Sequence, residues 1–553
     1  MLSPWFTKLF LFAFLAVGAC ARHAPRQTSL LESPAASGHL PTNHPLLKWK
    51  RFDAQDSDQV HVSLAGPNQV FVVYATSDAD EESIVFYGNS KNDLKLEMRG
   101  TKKTYTQQIC PAPAQRTNRM PGPSSRMPSL ESTMALQNTS AWLPESSEAY
   151  TVIRNEEDLA KGCWPYFNEN SFYESPTIHT VHLTQLLPST RYYYRCGRKS
   201  TRVFSFRTPP EVGPTANLRL GVWADVGQSN VSILTAQGMI DQDTDLSLLA
   251  GDLSYADGTP WRWDTWATAM EPLMANQLHL FCPGNHDLAE GAEQGVAYSA
   301  RYPSPSESSG STSPLWYSVD IGPVHLVSLA GQYSPIWPGS AQYAWLLEDL
   351  AQVNRTVTPW LVAVWHTPWY SSNENHKLEA EPMRRRLERL MYDAGVNVVI
   401  NGHVHAYERT HPVFEFERDE CAPTYLVVGD AGNYEGPATP WADPKPVWSA
   451  FRQASFGTGV LEFQGSEKAV WTWRRRACVR LHGGMFDVWT HLNNATYFVP
   501  FTTKDGICET EDDNSQTSSL RLDSTVIHQH PNRCKRSRNS FVSRTNPSNL
   551  QTF

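Results

Sequence analysis

The stretch Leu246-Ser247-Leu248-Leu249-Ala250-Gly251-Asp252-Leu253-Ser254-Tyr255 decides the reading of this chain. Its almost unbroken apolar run fits a strand buried on both faces, and the run stops at a glycine followed by an acid. The same design recurs on either side. Leu218 to Ala224 is followed by Asp225, and Leu278 to Cys282 by Gly284-Asn285-His286-Asp287. Leu361 to Trp365 ends at His366, and Val396 to Ile400 is followed by Gly402-His403-Val404-His405. His325 to Leu329 and Tyr425 to Val428 read as further buried strands. Between them, Ala341 to Val353 and Pro382 to Ala394 have helical periodicity. In the second, Pro382 suits the first turn, Met383, Leu387, Leu390 and Met391 share one face, and Gly395 marks the end. Strands alternating with helices predict a layered α/β domain.

In open α/β sheets ligands bind beyond the carboxyl ends of the strands, so the groups standing at these five ends should converge. Two aspartates, an asparagine, a tyrosine and three histidines make an oxygen- and nitrogen-rich set without thiolate. That suits hard or borderline ions such as iron, manganese or zinc, and not a structural cysteine-zinc site. Singly, each residue has a plainer reading. A Gly-Asp after a strand is more often a turn, a lone histidine more often a satisfied buried imidazole, and Tyr255 alone would be packing. Five strand ends in order, all bearing ligand-type groups, outweigh those readings together.

Upstream the texture differs. From about 46 to 208, Val60 to Leu64, Gln69 to Tyr74, Ser83 to Tyr87, Thr177 to Leu183, Arg191 to Arg195 and Arg202 to Phe206 are short β-branched and aromatic runs between turn residues. They predict an antiparallel sandwich, and Leu186 to Tyr192 looks like its tyrosine corner. A Pro/Ser/Met/Asn stretch at about 107–147 lacks periodicity and reads as a disordered, glycosylated insertion. Thr208-Pro209-Pro210 is the hinge to the α/β domain, set at 215–481. Residues 482–553 read as a C-terminal extension, largely a disordered tail.

With 553 residues the chain has room for more than one domain. Lys plus Arg minus Asp plus Glu is 47 − 56 = −9, which argues against a polybasic binder of nucleic acid or acidic membrane. Residues 1–21 read as a secretory signal: Lys8, an apolar core from Leu9 to Val17, and Ala19-Cys20-Ala21 as a small-x-small cleavage site. Residues 22–45 read as a linker, and no later stretch is long enough to span a membrane. Without Cys20, eight cysteines remain: Cys110, Cys163, Cys196, Cys282, Cys421, Cys478, Cys508 and Cys534. An even number on an exported chain suggests disulfides of undetermined pairing, although Cys282 sits in an apolar strand and reads as a free buried thiol. Sequons at Asn138, Asn230, Asn354 and Asn494 agree with export to the extracellular space or to a secretory, vacuolar or lysosomal lumen.

Gly251 to Asp257, Gly284 to Asp287 and Gly402-His403-Val404-His405-Ala406-Tyr407-Glu408-Arg409 resemble the motifs of the purple acid phosphatases, within the calcineurin-like metallophosphoesterases. Val364 to Tyr370 and Gly429-Asp430-Ala431-Gly432-Asn433 match further blocks, and the likeness extends from about residue 46 to 475. It implies the two-domain plant-type architecture: an N-terminal fibronectin-like β-sandwich, then a four-layer α/β/β/α metallophosphoesterase domain. It implies that Asp225, Asp252, Tyr255 and His405 hold Fe(III), and that Asp252, Asn285, His366 and His403 hold a divalent zinc, manganese or iron, with Asp252 bridging. Two cations so placed can clamp the attacking and leaving oxygens of an in-line displacement. The implied activity is acid phosphatase: direct attack of a metal-bound hydroxide on a phosphate monoester. His286 and His376 would donate to the phosphoryl oxygens or leaving group, and Asp257, Asp287 and Asn375 would stand behind them or meet the substrate.

Three positions depart from the family pattern. Ala224 precedes Asp225 where glycine is usual, Asp287 stands where glutamate is common, and Asn375-His376 replaces a pair of histidines. An amide donates a hydrogen bond but is no acid, so protonation of the leaving group rests on fewer residues. Two other functions share these features. One is a phosphodiesterase or nucleotide-sugar pyrophosphatase on the same site; Tyr255 weighs against most relatives lacking a ferric ion. The other is a glycosylated binding protein with a vestigial site, against which the complete set of seven ligands stands.

Overall fold

The computed structural model describes residues 57–108, 172–289, 293–475, 478–481, 484–490, 496–501 and 522–530. The signal segment, the linker, Asn138, Asn494, most of the insertion and most of the tail lie outside the described residues, as do Cys110, Cys163, Cys508 and Cys534.

Two large sheets carry the α/β half. At the centre of the first, Asn217–Trp223, Leu246–Ala250 and Leu278–Cys282 run parallel. Gly457–Gln464, Lys468–Arg475 and Leu522–His528 extend it antiparallel on one side. The second sheet joins Tyr317–Ile321, Val324–Ser328, Trp360–Val364, Val398–Asn401, Thr424–Val428, Tyr407–Thr410 and Ser449–Gln453. Alternation within the apolar runs explains the layering. Leu220, Val222 and Leu248 share one core with Leu326, Val362 and Ile400, between the sheets. Trp223, Leu249 and Phe281 point the other way, among Met239, Trp266 and Met270 of helices Asn230–Asp241 and Arg262–Met274. Val327, Leu361 and Val399 likewise lie with Leu346 and Leu387 of helices Ala341–Gln352 and Glu381–Ala394. The second of these has Pro382 in its first turn and closes on Gly395 at φ 75°, a left-handed position that glycine adopts without strain. This is the four-layer α/β/β/α arrangement.

The N-terminal half is the expected β-sandwich, with a correction to its independence. One sheet, Phe204–Arg207, Arg191–Cys196, Ile84–Gly88 and Leu96–Arg99, is its own. The other is continuous with the first α/β sheet, because Asp58–Gly66 pairs in parallel with Leu278–Cys282 through Val62 to Leu278 and Ser63 to His279. Val60 to Leu64 is buried on both faces, a sign of a central strand that local alternation cannot assign to a neighbour. The corner is present: the Leu187 N–H donates to the Tyr192 hydroxyl at 3.0 Å.

Two boundaries also move. Gln107 and Gln108, placed in the insertion by their sequence, belong to a strand, Thr106–Gln108, paired with Phe172–Glu174. The C-terminal extension contains the strands Gly484–Thr490, Thr496–Phe501 and Leu522–His528, with Cys478–Leu481 just ahead of them, so it is not a disordered tail over those spans. Leu522–His528 is integral to the first sheet, and its inward Asp523 interrupts the apolar alternation by which a buried strand is read. Cys282 is a buried thiol outside any disulfide, as its apolar strand indicates.

Candidate metal centre

The five strand ends converge. Tyr255 is fully buried, and its hydroxyl lies 3.0 Å from Asp225 Oδ1, 3.1 Å from His405 Nε2 and 3.5 Å from Asp252 Oδ2. Beside that group, His366 Nε2 lies 2.9 Å from the same Asp252 Oδ2, and His403 Nδ1 lies 2.9 Å from Asn285 Oδ1. Asp252 therefore belongs to both groups. Asp252, His366 and His403 present donor atoms close enough to share one ion.

Backbone geometry builds this convergence. Asp225, Asp252, Tyr255 and His403 have φ of 58°, 57°, 51° and 70°. Each left-handed residue costs on the order of 1 kcal/mol or more, a strain that persists only where the surroundings enforce it. The enforcement is visible. Asp225 N–H donates to Gly251 O at 3.0 Å, Val226 N–H to Asp252 O at 3.0 Å, and His403 N–H to Asp225 Oδ2 at 2.8 Å. Two glycines permit the close approach: a Cβ on Gly284 would meet Asp252 Oδ1 at 2.1 Å, and one on Gly402 would meet Asp225 Oδ2 at 2.4 Å. Asp287 accepts from the N–H groups of Asp252, Leu253 and Gly284 at 2.8, 3.0 and 2.9 Å, clamping two of the loops.

Electrostatics point the same way. Burial, with Asp225 and Asp252 next to it, pushes the Tyr255 phenol well above its ordinary range. Burial opposes charge on His366, but Asp252 and Asp225 outweigh it and lift the imidazole to about 9. Burial and the charge of Asp252 raise Asp287 to about 8. The protein thus gathers anionic oxygens in a buried cluster and holds protons there. A cation is the partner such a set lacks, and it would release those protons. His366 Nδ1 also donates to Ala250 O at 2.9 Å, which fixes the tautomer with Nε2 facing the cluster, a usual arrangement for a ligating histidine. The donors fit two hard or borderline cations sharing Asp252.

The two histidines expected to handle phosphate flank different groups. The His286 ring lies 4.0 Å from the Tyr255 ring, its Nδ1 2.6 Å from Asp257 Oδ1, and Asp257 in turn accepts from the Tyr434 hydroxyl at 3.2 Å. His376 lies 4.1 Å, ring to ring, from His403, and its side chain is 42% exposed. Glu379 joins them, accepting from His376 Nδ1 at 2.8 Å and lying 3.0 Å from His403 Nε2. Asn375 is half-buried beside His376, its N–H donating to Asn373 Oδ1 at 2.9 Å. Sequence reasoning does not find Glu379, Tyr434 or Tyr333, whose hydroxyl reaches Asn285 Oδ1 at 3.4 Å. Glu379 stands three residues after His376, and Tyr434 directly after the Gly429–Asn433 block, which are the signals that could find them. Of the sequons, Asn354 is exposed, whereas Asn230 is half-buried at a helix start.

Known proteins bear on this site and on the whole chain. Residues 218–407 match the calcineurin-like phosphoesterase model, residues 57–208 the purple acid phosphatase N-terminal domain, and residues 422–480 the iron/zinc purple acid phosphatase-like protein C model. Probable purple acid phosphatase 20 of Arabidopsis thaliana is 40% identical over 347 residues, 61% of this chain and 80% of that protein. Purple acid phosphatase 21 of the same plant is 36% identical over 421 residues, 75% of this chain and 81% of its own. The structure of purple acid phosphatase PPD1 from yellow lupin seeds superposes with a TM-score of 0.58 at 20% identity, over 83% of this chain and 78% of that one, a likeness of fold. Family models across both halves, and relatives most of whose length this chain spans, make it a member of the purple acid phosphatases, phosphomonoesterase hydrolases of the calcineurin-like phosphoesterase superfamily.

Proposed function

We propose that this protein is an exported acid phosphatase that hydrolyses phosphate monoesters at a two-metal centre. Asp225, Asp252, Tyr255 and His405 hold Fe(III); Asp252, Asn285, His366 and His403 hold a divalent zinc, manganese or iron. The supporting observation is Asp252 Oδ2, which lies 3.5 Å from Tyr255 on one side and 2.9 Å from His366 on the other. When bound, the two ions supply a nucleophile at low pH and neutralise the phosphoryl oxygens.

The chain's residues do the rest. His286 is held at Nδ1 by Asp257, and in its protonated form the free Nε2 can donate to a phosphoryl oxygen or the departing alkoxide. Burial opposes its charge, while the neighbouring Asp257 carboxylate, 2.6 Å from Nδ1, favours it. His376, tied to Glu379 on the exposed rim, offers a second donor to the ester. Asn375 donates without acidity. The leading apolar segment and the surface position of Asn354 support export. No helix among the described residues is long and apolar enough to cross a membrane.

The test is colour. A phenolate on Fe(III) gives a visible charge-transfer band, so purified protein should carry two ions per chain and absorb in the visible, and Tyr255→Phe should bleach the band while the fold persists. A colourless, iron-free and fully active protein would overturn the ferric assignment. A phosphodiester turned over faster than every monoester tried would overturn the substrate class.

A further inference from the structure

Residues beyond 480, where the family match ends, return to the core as the strand Leu522–His528, paired with Lys468–Arg475. Along it, Ser524, Val526 and His528 are exposed while Asp523 and Ile527 point inward. Asp523 is 6% exposed and reaches across to the second sheet. Its Oδ2 accepts from the Tyr407 hydroxyl at 2.5 Å and from Arg409 Nε at 2.7 Å, and its Oδ1 accepts from Arg409 Nη2 at 2.9 Å. Arg409 thus grips it with a two-pronged fork, a geometry that fixes direction as well as distance. Trp471 Nε1 donates to the same Tyr407 hydroxyl at 2.7 Å, and Trp473 stacks on the Tyr407 ring at 4.4 Å and 5°.

Tyr407 and Arg409 begin the strand that leaves the loop Gly402-His403-Val404-His405-Ala406. That loop has little slack, since Val404 N–H donates to Gly402 O at 2.8 Å and Ala406 N–H to Val404 O at 2.7 Å. Between the two residues that face Asp523, Glu408 points the other way. It accepts from Ser372 N–H at 2.6 Å and from the Ser449 hydroxyl at 2.6 Å, at the base of the segment that carries Asn375 and His376. One short strand therefore ties the histidine loop, the rim and the C-terminal strand together. Packing between sheets could use an apolar residue at 523. A buried carboxylate costs desolvation, and here the Arg409 fork and the Tyr407 hydroxyl offset that cost only in one arrangement of the two sheets.

We infer that Asp523 is a positioning residue: through Tyr407 and Arg409 it sets the placement of His403 and His405, so the C-terminal strand completes the active site. This rests on the reading of those histidines as metal ligands. In full-length protein, Asp523→Asn keeps the shape and removes the charge that Arg409 grips. Expected results are loss of iron to a chelator at least tenfold faster than wild type, and kcat on p-nitrophenyl phosphate lowered about tenfold with KM within twofold. Ser524→Ala, next along the strand but facing solvent, should match wild type in both. Should Asp523→Asn misfold, Tyr407→Phe removes only the hydroxyl and should show the same pattern at roughly threefold. A lower melting temperature with unchanged iron retention and unchanged kcat per folded molecule, in whichever variant folds, would make Asp523 structural only and overturn the inference. Wild-type protein purified without metal would instead overturn the two-metal reading, a failure visible before any variant is made.

Discussion

Among the buried polar clusters of the described residues, the one around Asp252 and the one around Arg301 balance charge in opposite ways. At the seam between the sandwich and the α/β half, Arg301 is 2% exposed and its guanidinium meets Asp264 at 2.8 Å, the Tyr173 hydroxyl at 3.0 Å and the Tyr105 hydroxyl at 2.8 Å. Gln59 Nε2 donates to Asp264 Oδ1 at 3.0 Å, and His61 Nε2 lies 2.8 Å from Arg301 O. One cation faces one anion, with neutral groups filling the remaining valences. Nearby, burial lifts the Glu293 carboxyl to about 7, while it accepts from Gln107, Trp263 and the Gly258 N–H. The seam is complete in itself. At the strand ends the aspartates crowd a phenol and imidazoles, and their contacts among the described residues include no lysine or arginine. The backbone there is held left-handed at Asp225, Asp252, Tyr255, Asp257 and His403, and at the seam at Gln59. A network closed by a fixed guanidinium marks scaffold; one whose aspartates face only titratable imidazoles, whose protons a metal ion would displace, marks a binding site.

The sharpest way to break that contrast is at the shared carboxylate. Asp252→Asn removes an anion that two cations would share and leaves a side chain of the same shape. Turnover should fall by about 10³-fold or more, and both ions should be lost on dialysis, while circular dichroism stays that of wild type. In the metal-free protein Asp252 also holds the His366 imidazole at 2.9 Å, and against burial that neighbour keeps its carboxyl well below the usual range. Losing the charge should therefore lower the metal-free melting temperature at neutral pH. Retention of both ions with normal turnover would defeat the assignment of Asp252 as the shared ligand.

The same contrast explains how much of the molecule is legible in its sequence. Strands such as Leu246–Ala250 declare themselves because both faces are buried, and the residues at their ends stand out because nothing in a turn requires histidine or tyrosine there. The ligand set is readable for that reason. The seam is not: Gln59, Asp264 and Arg301 sit far apart in sequence, and each alone is an ordinary surface-type residue. The strand Leu522–His528 reads as tail because its inward Asp523 breaks the apolar alternation, and among the described residues it is the distant Arg409 and Tyr407 that satisfy it. The continuity of the two sheets hides for a similar reason, since Val60 to Leu64 gives no hint of which strand it will lie beside.

The complementary change at the seam should move stability and spare the chemistry. Arg301→Met keeps volume and leaves Asp264 buried without its cation, which should cost about 3–5 kcal/mol of unfolding free energy. Denaturant titration reads that loss directly. Metal content and kcat per folded molecule should stay within twofold of wild type. A variant that kept its stability but lost its metal would mean that the seam is part of the site, reaching it through Glu293, Gly258 and Asp257.

The smallest expected effect separates the two flanks of the site itself. His286 is held from behind by Asp257 and Tyr434, whereas the other flank is an open rim where Asn375 stands beside His376. If protonation of the leaving group is the work of His286 with help from the rim, Asn375→His adds an acid where one is already present. The gain should then be modest, about 2–10-fold on an alkyl phosphate, well below the 10²–10⁴-fold typical of general acid catalysis as a whole. On p-nitrophenyl phosphate, whose leaving group needs little protonation, the change should stay under about twofold by the same reasoning. Nearby cations disfavour an imidazolium, so the added group loses its proton early as pH rises, and the gain should appear on the acid side of the profile. Equal changes for both esters would mean that the rim binds the phosphoryl group and transfers no proton, and that Asn375 serves as well as histidine there.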